Sequence, residues 1–155
     1  MKFWLDVEEF LHFWKSGQNK ERAEGLATAL VNYELAASLY KGDFLEEDIY
    51  ESWPALQREN LKEIYLVILD KLSRFYALDG KPQTAIDLCE AILEKDNCRE
   101  DIYRRLMHCY YKIGQRDKAI KQYRRCVEIL SKELEIEPTP TTIELYKKIK
   151  NGQIK

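Results

Sequence analysis

Apolar residues recur along this chain at intervals of three and four, and no stretch alternates with the period of two that marks a strand. The first such stretch predicts a helix from Phe3 to Trp14, with Val7, Phe10, Leu11 and Trp14 on one face and Gly17-Gln18-Asn19 as its stop. A second is expected from about Glu21 to Tyr40, with Leu26, Leu30, Tyr33, Ala37 and Tyr40 as its stripe. Gly42 then supplies the left-handed residue that commonly closes a helix. Beyond the connector Asp43 to Glu51, Pro54 fits the first turn of a long third helix, whose core side is Leu61, Tyr65, Ile68, Leu72 and Phe75. Gly80 breaks that helix, and Pro82 starts a fourth carrying Ala85, Ile86, Cys89 and Leu93. Ile102, Leu106, Cys109 and Tyr110 mark a fifth helix; Ile120, Tyr123, Val127, Leu130 and Leu134 mark a sixth. Thr139-Pro140 reads as a cap and a first-turn proline, opening a short last helix with Ile143, Tyr146 and Ile149.

Two of these helix pairs repeat in register. Gly80 and Gly114 lie 34 residues apart; Tyr76-Ala77-Leu78-Asp79-Gly80 answers to Tyr110-Tyr111-Lys112-Ile113-Gly114, and Ala85-Ile86 to Ala119-Ile120. A period of that length, with Tyr before the glycine and Ala after it, resembles the tetratricopeptide repeat, a pair of antiparallel helices. The expected fold is therefore all-α: a tetratricopeptide-like, right-handed array of about seven antiparallel helices. One domain over 1–155 is expected, with an N-terminal helix pair at 1–42, repeats at 53–97 and 99–137, and a capping helix at 139–150. The outer elements would cap two repeats whose end faces are otherwise exposed.

Composition narrows the function. The 155 residues are 45% hydrophobic and 34% charged, which suits one soluble domain with a real core. A net charge of -2 argues against a dedicated nucleic-acid binder. No apolar run approaches a membrane span, and the start turns acidic at once without a signal-peptide core, so a cytoplasmic location is expected. Cys89, Cys98, Cys109 and Cys126 form no CxxC pair, and only His12 and His108 could join them, so no metal site is expected. No phosphate-cradling glycine loop and no nucleophile–base pair stand out, so neither an enzyme nor a cofactor is predicted.

The flanks of the repeats are more specific. Leu39-Tyr40-Lys41-Gly42-Asp43-Phe44-Leu45 resembles the "LYxGxFL" segment of the bacterial transcriptional activator domain of SARP-type regulators. Trp53, Arg58, Leu61 and Tyr65 follow at that family's spacing, and Asp6-Val7-Glu8-Glu9-Phe10 is similar to its "DvxxF" start. The segment from Lys132 to Thr142 resembles its "ELGxEPSPET" signature. Two positions depart from it. Glu135 replaces the usual glycine, so the sixth helix is expected to run on, and Thr141 stands where an acid is common. The resemblance implies an interaction and activation module of a bacterial transcription regulator, one that self-associates, as in a homodimer, and contacts RNA polymerase or other regulator domains. It also implies that DNA is read by a separate winged-helix domain, to which nothing here corresponds.

In tetratricopeptide arrays the first helix of each pair lines the concave groove. That register selects Arg104, His108, Tyr111 and Lys112 from the second repeat, with Arg74 and Leu78 from matching positions of the first. Spacing by four puts Arg104, His108 and Lys112 on one helical face, where cations beside an aromatic ring suit an acidic peptide with an apolar anchor. The same charges also fit a merely solvated face. From Arg104 to Arg125 eight basic residues face one acid, Asp117, whereas 43–51 holds five acids and no base. Complementarity within the array or between protomers, and contact with DNA phosphates, are both open readings. Tyr50 and Trp53 beside the acidic connector offer either a partner contact or packing against the third helix. A general tetratricopeptide adaptor and a sensory domain enclosing a small effector remain as alternatives to the transcription module.

Overall fold

The computed structural model describes residues 2–42 and 55–154, with side chains at 7–40 and 55–154. Among them are seven helices and no strand: α1 (Lys2–Glu24), α2 (Leu26–Gly42), α3 (Ala55–Leu78), α4 (Pro82–Lys95), α5 (Glu100–Lys112), α6 (Arg116–Leu134) and α7 (Pro140–Lys150). Two compact units divide the chain within α3, the first ending at Phe75 and the second starting at Tyr76. Residues 43–54 lie outside the described residues, and with them the acidic connector, Tyr50, Trp53 and Pro54.

In the first unit the break between helices falls at Gly25, whose φ of 96° is left-handed, and not at Gly17. Gly17 is buried in mid-helix for a steric reason: a Cβ there would stand 2.6 Å from Cε1 of Tyr33. The glycine is a seat for that ring, which corrects the expected end of α1 and the expected start of α2. The core side of α2 is Ala29, Tyr33, Ala36 and Tyr40, all buried, so two alanines replace Leu26, Leu30 and Ala37 of the expected stripe, which are only partly buried. Tyr40 stacks on Tyr65 of α3 with centroids 4.1 Å apart, and Phe10 of α1 meets the Tyr40 ring at 5.7 Å. Leu61, Tyr65, Ile68 and Leu72 are buried as their period requires. At the rim, Glu21 joins all three helices. It accepts from the Tyr33 hydroxyl at 2.5 Å and pairs with Lys71 at 3.0 Å. Desolvation pushes the Glu21 carboxyl up, but those two partners outweigh it and hold it below its ordinary value.

In the second unit the repeat has a common physical cause. Gly80 and Gly114 have φ of 76° and 79°, and the N–H of the residue after each glycine closes back onto a tyrosine carbonyl. Lys81 N donates to Tyr76 O at 2.9 Å, and Gln115 N to Tyr110 O at 2.9 Å. This is the Schellman closure, which ends a helix and turns the chain into the next. Ala85 and Ala119 are wholly buried, leaving room for close helix approach. Ile86, Cys89, Ile92 and Leu93 of α4 and Ile102, Leu106 and Cys109 of α5 are buried, as are Cys126 and Leu130 of α6. Met107, Ala119, Leu145 and Ile149 form a further cluster that brings α7 onto α5 and α6. Tyr123 and Tyr146 stack beside it at 4.0 Å.

Helix α6 ends at Leu134, earlier than expected from Glu135. Glu135 itself takes the left-handed conformation (φ 55°, ψ 38°) that the glycine of the signature would adopt more readily. Ile136 N donates to Leu130 O at 3.3 Å and closes the turn. Thr139 has the extended backbone of a cap residue, but its side chain makes no capping bond within α7.

Candidate functional site

The residues expected to face a partner are distributed over both units. Arg74 belongs to the first; it is exposed and paired with Asp70 at 2.7 Å, one helical turn away. Leu78, the last residue of α3, is 80% exposed and belongs to the second. Arg104, His108, Tyr111 and Lys112 all stand on α5, also in the second unit. Tyr111 is half-buried and packs against the cluster of Met107, Leu145 and Ile149, so its ring supports the ridge from below. His108 and Lys112 are exposed. Lys112 lies in the last turn of α5, where a cation complements the helix dipole.

Arg104 is tied down. Its Nη1 donates to the Thr142 hydroxyl at 2.8 Å and lies 3.6 Å from the Glu100 carboxylate. The Thr142 hydroxyl in turn donates to Glu100, which also accepts from the N–H and hydroxyl of Thr139. Desolvation raises the Glu100 carboxyl, but Thr139, Thr142 and Arg104 together bring it below its ordinary value. This network docks the first turn of α7 on the first turn of α5. Arg104 and His108 then form one wall of a cavity of about 500 Å³, faced by Glu144, Leu145 and Lys148 of α7 and by Ile154. Desolvation at that wall, followed by the charges of Lys112 and Arg104, lowers the His108 pKa. Lys148, Glu144 and Ile154 carry no signal in local spacing, since only the docking of α7 brings them to α5.

The basic run from Arg104 to Arg125 is not one continuous face. Arg125 pairs with Glu90 of α4 at 2.7 Å and lies 5.5 Å from the centroid of the Tyr103 ring. Arg116 donates to the carbonyl of Lys150 and so closes the end of α7. Lys118 lies 6.0 Å from the centre of the Tyr110 ring. Lys121 and Arg124 are exposed on α6. The four cysteines form no disulfide, and Cys89, Cys109 and Cys126 are buried. Among the described residues no group of three or more His, Cys, Asp or Glu could hold a metal, and no helix is long and apolar enough to cross a membrane.

Comparisons with known proteins agree with this architecture. The family described as the bacterial transcriptional activator domain matches residues 5–150. Transcriptional regulatory protein MoaR1 of Mycobacterium tuberculosis is 27% identical over 145 residues, covering 93% of this chain and 46% of that protein. Its counterpart from Mycobacterium bovis is 32% identical over 145 residues, with the same coverage of 93% and 46%. The chain thus spans about half the length of the curated relatives it matches. Among solved structures, the C-terminal TPR-containing domain of a Plasmodium falciparum FK506-binding protein superposes with a TM-score of 0.66 at 16% identity, over 95% of this chain and 89% of that one. Mycobacterium tuberculosis EmbR, solved in complex with a low affinity phosphopeptide, superposes with a TM-score of 0.64 at 21% identity, over 97% of this chain and 40% of that one. At these identities the two structures establish the fold, an all-α tetratricopeptide-like array. With the signature from Lys132 to Thr142 folded around Glu100 and the family matched along nearly its whole length, the chain belongs to the bacterial transcriptional activator domain family.

Proposed function

We propose that this domain is the protein-interaction and activation module of a bacterial transcription regulator, acting in the cytoplasm without chemistry of its own. It self-associates and docks RNA polymerase or a neighbouring regulator domain, while a separate winged-helix domain reads the DNA. The observation that carries this reading is the family match over residues 5–150, which takes in α1 from Leu5 onward and the other described helices whole. The exposed cations of α5, His108 when protonated and Lys112, support an acidic partner surface, with Leu78 and Arg74 as further contacts. Arg104, engaged by Glu100 and Thr142, serves mainly to hold the ridge in place.

Capture of purified bacterial RNA polymerase by the immobilised chain, together with sedimentation of the free chain, tests the reading. The chain should retain polymerase or form a dimer, and Lys112→Glu combined with His108→Glu should weaken polymerase retention at an unchanged melting temperature. The chain alone should give no sequence-specific shift of promoter DNA at physiological salt. Neither polymerase capture nor self-association, or sequence-specific DNA binding by this domain, would overturn it.

A further inference from the structure

We propose that the cavity between α5 and α7 is a binding site for a small organic monoanion, a carboxylate carried on an apolar body. The proposal shares His108 with the docking surface above but is distinct from it, since it concerns a small molecule in a half-open groove. The cavity measures about 500 Å³, within the size range of small-molecule sites. One part of its lining is made of donors. Arg104 has spent only Nη1 on Thr142, so other guanidinium N–H groups remain, and His108, Lys148 and the Gln153 amide add theirs. Among the described residues neither His108 nor Lys148 is held by an ion pair or side-chain hydrogen bond.

The other part of the lining is apolar. Leu145 is 8% exposed and belongs to the cluster of Met107 and Ile149, against which Ile154 also packs. Ile154 reaches that place because the chain turns back after α7, where Gln153 N donates to Lys148 O at 2.8 Å. A ligand's hydrocarbon body would extend this cluster while its carboxylate met the donors. With Glu144 set against Arg104 and Lys148 and His108 neutral, the lining carries one net positive charge, which matches a monoanion.

Binding should be coupled to a proton. The charged groups facing His108 are Arg104 and Lys112 on its own helix and Glu144 and Lys148 on α7; Thr141 and Gln153 are neutral. Desolvation and the two cations of α5 disfavour the imidazolium. A bound carboxylate reverses that balance, so the His108 titration midpoint rises and affinity increases as pH falls through it.

The test is NMR of the full chain, ¹⁵N-labelled, titrated with benzoate and with hexanoate, and in parallel with acetate and inorganic phosphate. Saturable shifts confined to Arg104, His108, Leu145, Lys148 and Ile154, with an upward move of the His108 midpoint, are expected from the first two probes only. Lys148→Glu should weaken benzoate binding roughly tenfold, the scale of one charge-assisted hydrogen bond, and His108→Ala should abolish the pH dependence, both without altering the melting temperature. Absence of shifts with benzoate and hexanoate, equal shifts with acetate or phosphate, or full affinity in both variants would each overturn the proposal. None of these outcomes touches polymerase capture, so the two readings fail separately.

Discussion

Glu100, in the first turn of α5, accepts hydrogen bonds from both the N–H and the hydroxyl of Thr139, at 2.8 and 2.6 Å. Thr139 precedes α7, so a carboxylate of one helix caps the start of another and adds negative charge at its N-terminus, where the helix dipole favours it. The physical content of the signature follows from this contact. Pro138 is buried, Pro140 starts the helix, and Thr139 and Thr142 present hydroxyls to one acid.

Because its partners outweigh desolvation, the Glu100 carboxyl titrates below its ordinary value in the folded chain. A group with a depressed folded pKa contributes stability that is present above its unfolded pKa and is lost as pH falls through the folded one. Glu100→Ala should therefore destabilise the chain by about 1–2 kcal/mol at neutral pH, since the buried Thr142 hydroxyl loses its acceptor while the Thr139 donors, which are exposed, can turn to water. In urea unfolding series from pH 7 downward, the gap between wild type and variant should narrow as the carboxyl protonates. A gap independent of pH would assign the effect to packing alone.

Gly17→Ala tests the seat of the Tyr33 ring. Alanine favours a helix over glycine by about 1 kcal/mol, so an unobstructed site would gain stability. Here the new Cβ falls 2.6 Å from the ring of a fully buried tyrosine whose hydroxyl is held by Glu21. Overpacking of about 1–3 kcal/mol should win, giving a net fall in melting temperature by calorimetry. The same substitution in a Tyr33→Leu background should stabilise that variant, because the clash is gone and only helix propensity remains.

These two sites mark where sequence stops being sufficient. The buried faces of α3, α4 and α5 are legible because Leu61, Tyr65 and Ile68, or Ala85 and Cys89, follow a period that any amphipathic helix must obey. The turns at Gly80 and Gly114 are legible because the left-handed closure is local and repeats with its tyrosine. Gly17 misleads, since the reason for it is a ring supplied by the next helix. The α5 ridge of Arg104, His108 and Lys112 can be read from spacing by four, but its division of labour cannot. Whether Arg104 holds α7 or meets a partner depends on Thr142, far along the chain, and the same docking brings Lys148 opposite His108.

At the end of α6 the chain carries a removable strain. Glu135 occupies the left-handed region with φ 55°, a conformation that costs a residue with a Cβ about 1–2 kcal/mol. The side chain is exposed and carries no hydrogen bond that compensates within the turn. Glu135→Gly should therefore raise stability by about 1 kcal/mol, measured by chemical unfolding, with Glu135→Ala giving no such gain. Equal gains from both would locate the effect in the removed charge, not in the backbone.

The four thiols should separate by accessibility and by acidity. Cys89, Cys109 and Cys126 are buried, and Cys98 is half-exposed in the turn between α4 and α5. Burial pushes the Cys126 thiol up to about 12, with Glu100 adding to the shift. Desolvation, then Glu133 and Asp96, also raise the Cys98 thiol above its ordinary value. Since the thiolate is the reactive form, the native chain should react with Ellman's reagent at one thiol, slowly at neutral pH and faster as pH rises through the Cys98 titration. The other three should react only on unfolding, at a rate set by global opening. Cys98→Ser should remove the native reaction while leaving the denatured count at three. A second thiol reacting quickly in the native state would show that the packing around its own helix, α4, α5 or α6, opens locally, well below the global unfolding free energy.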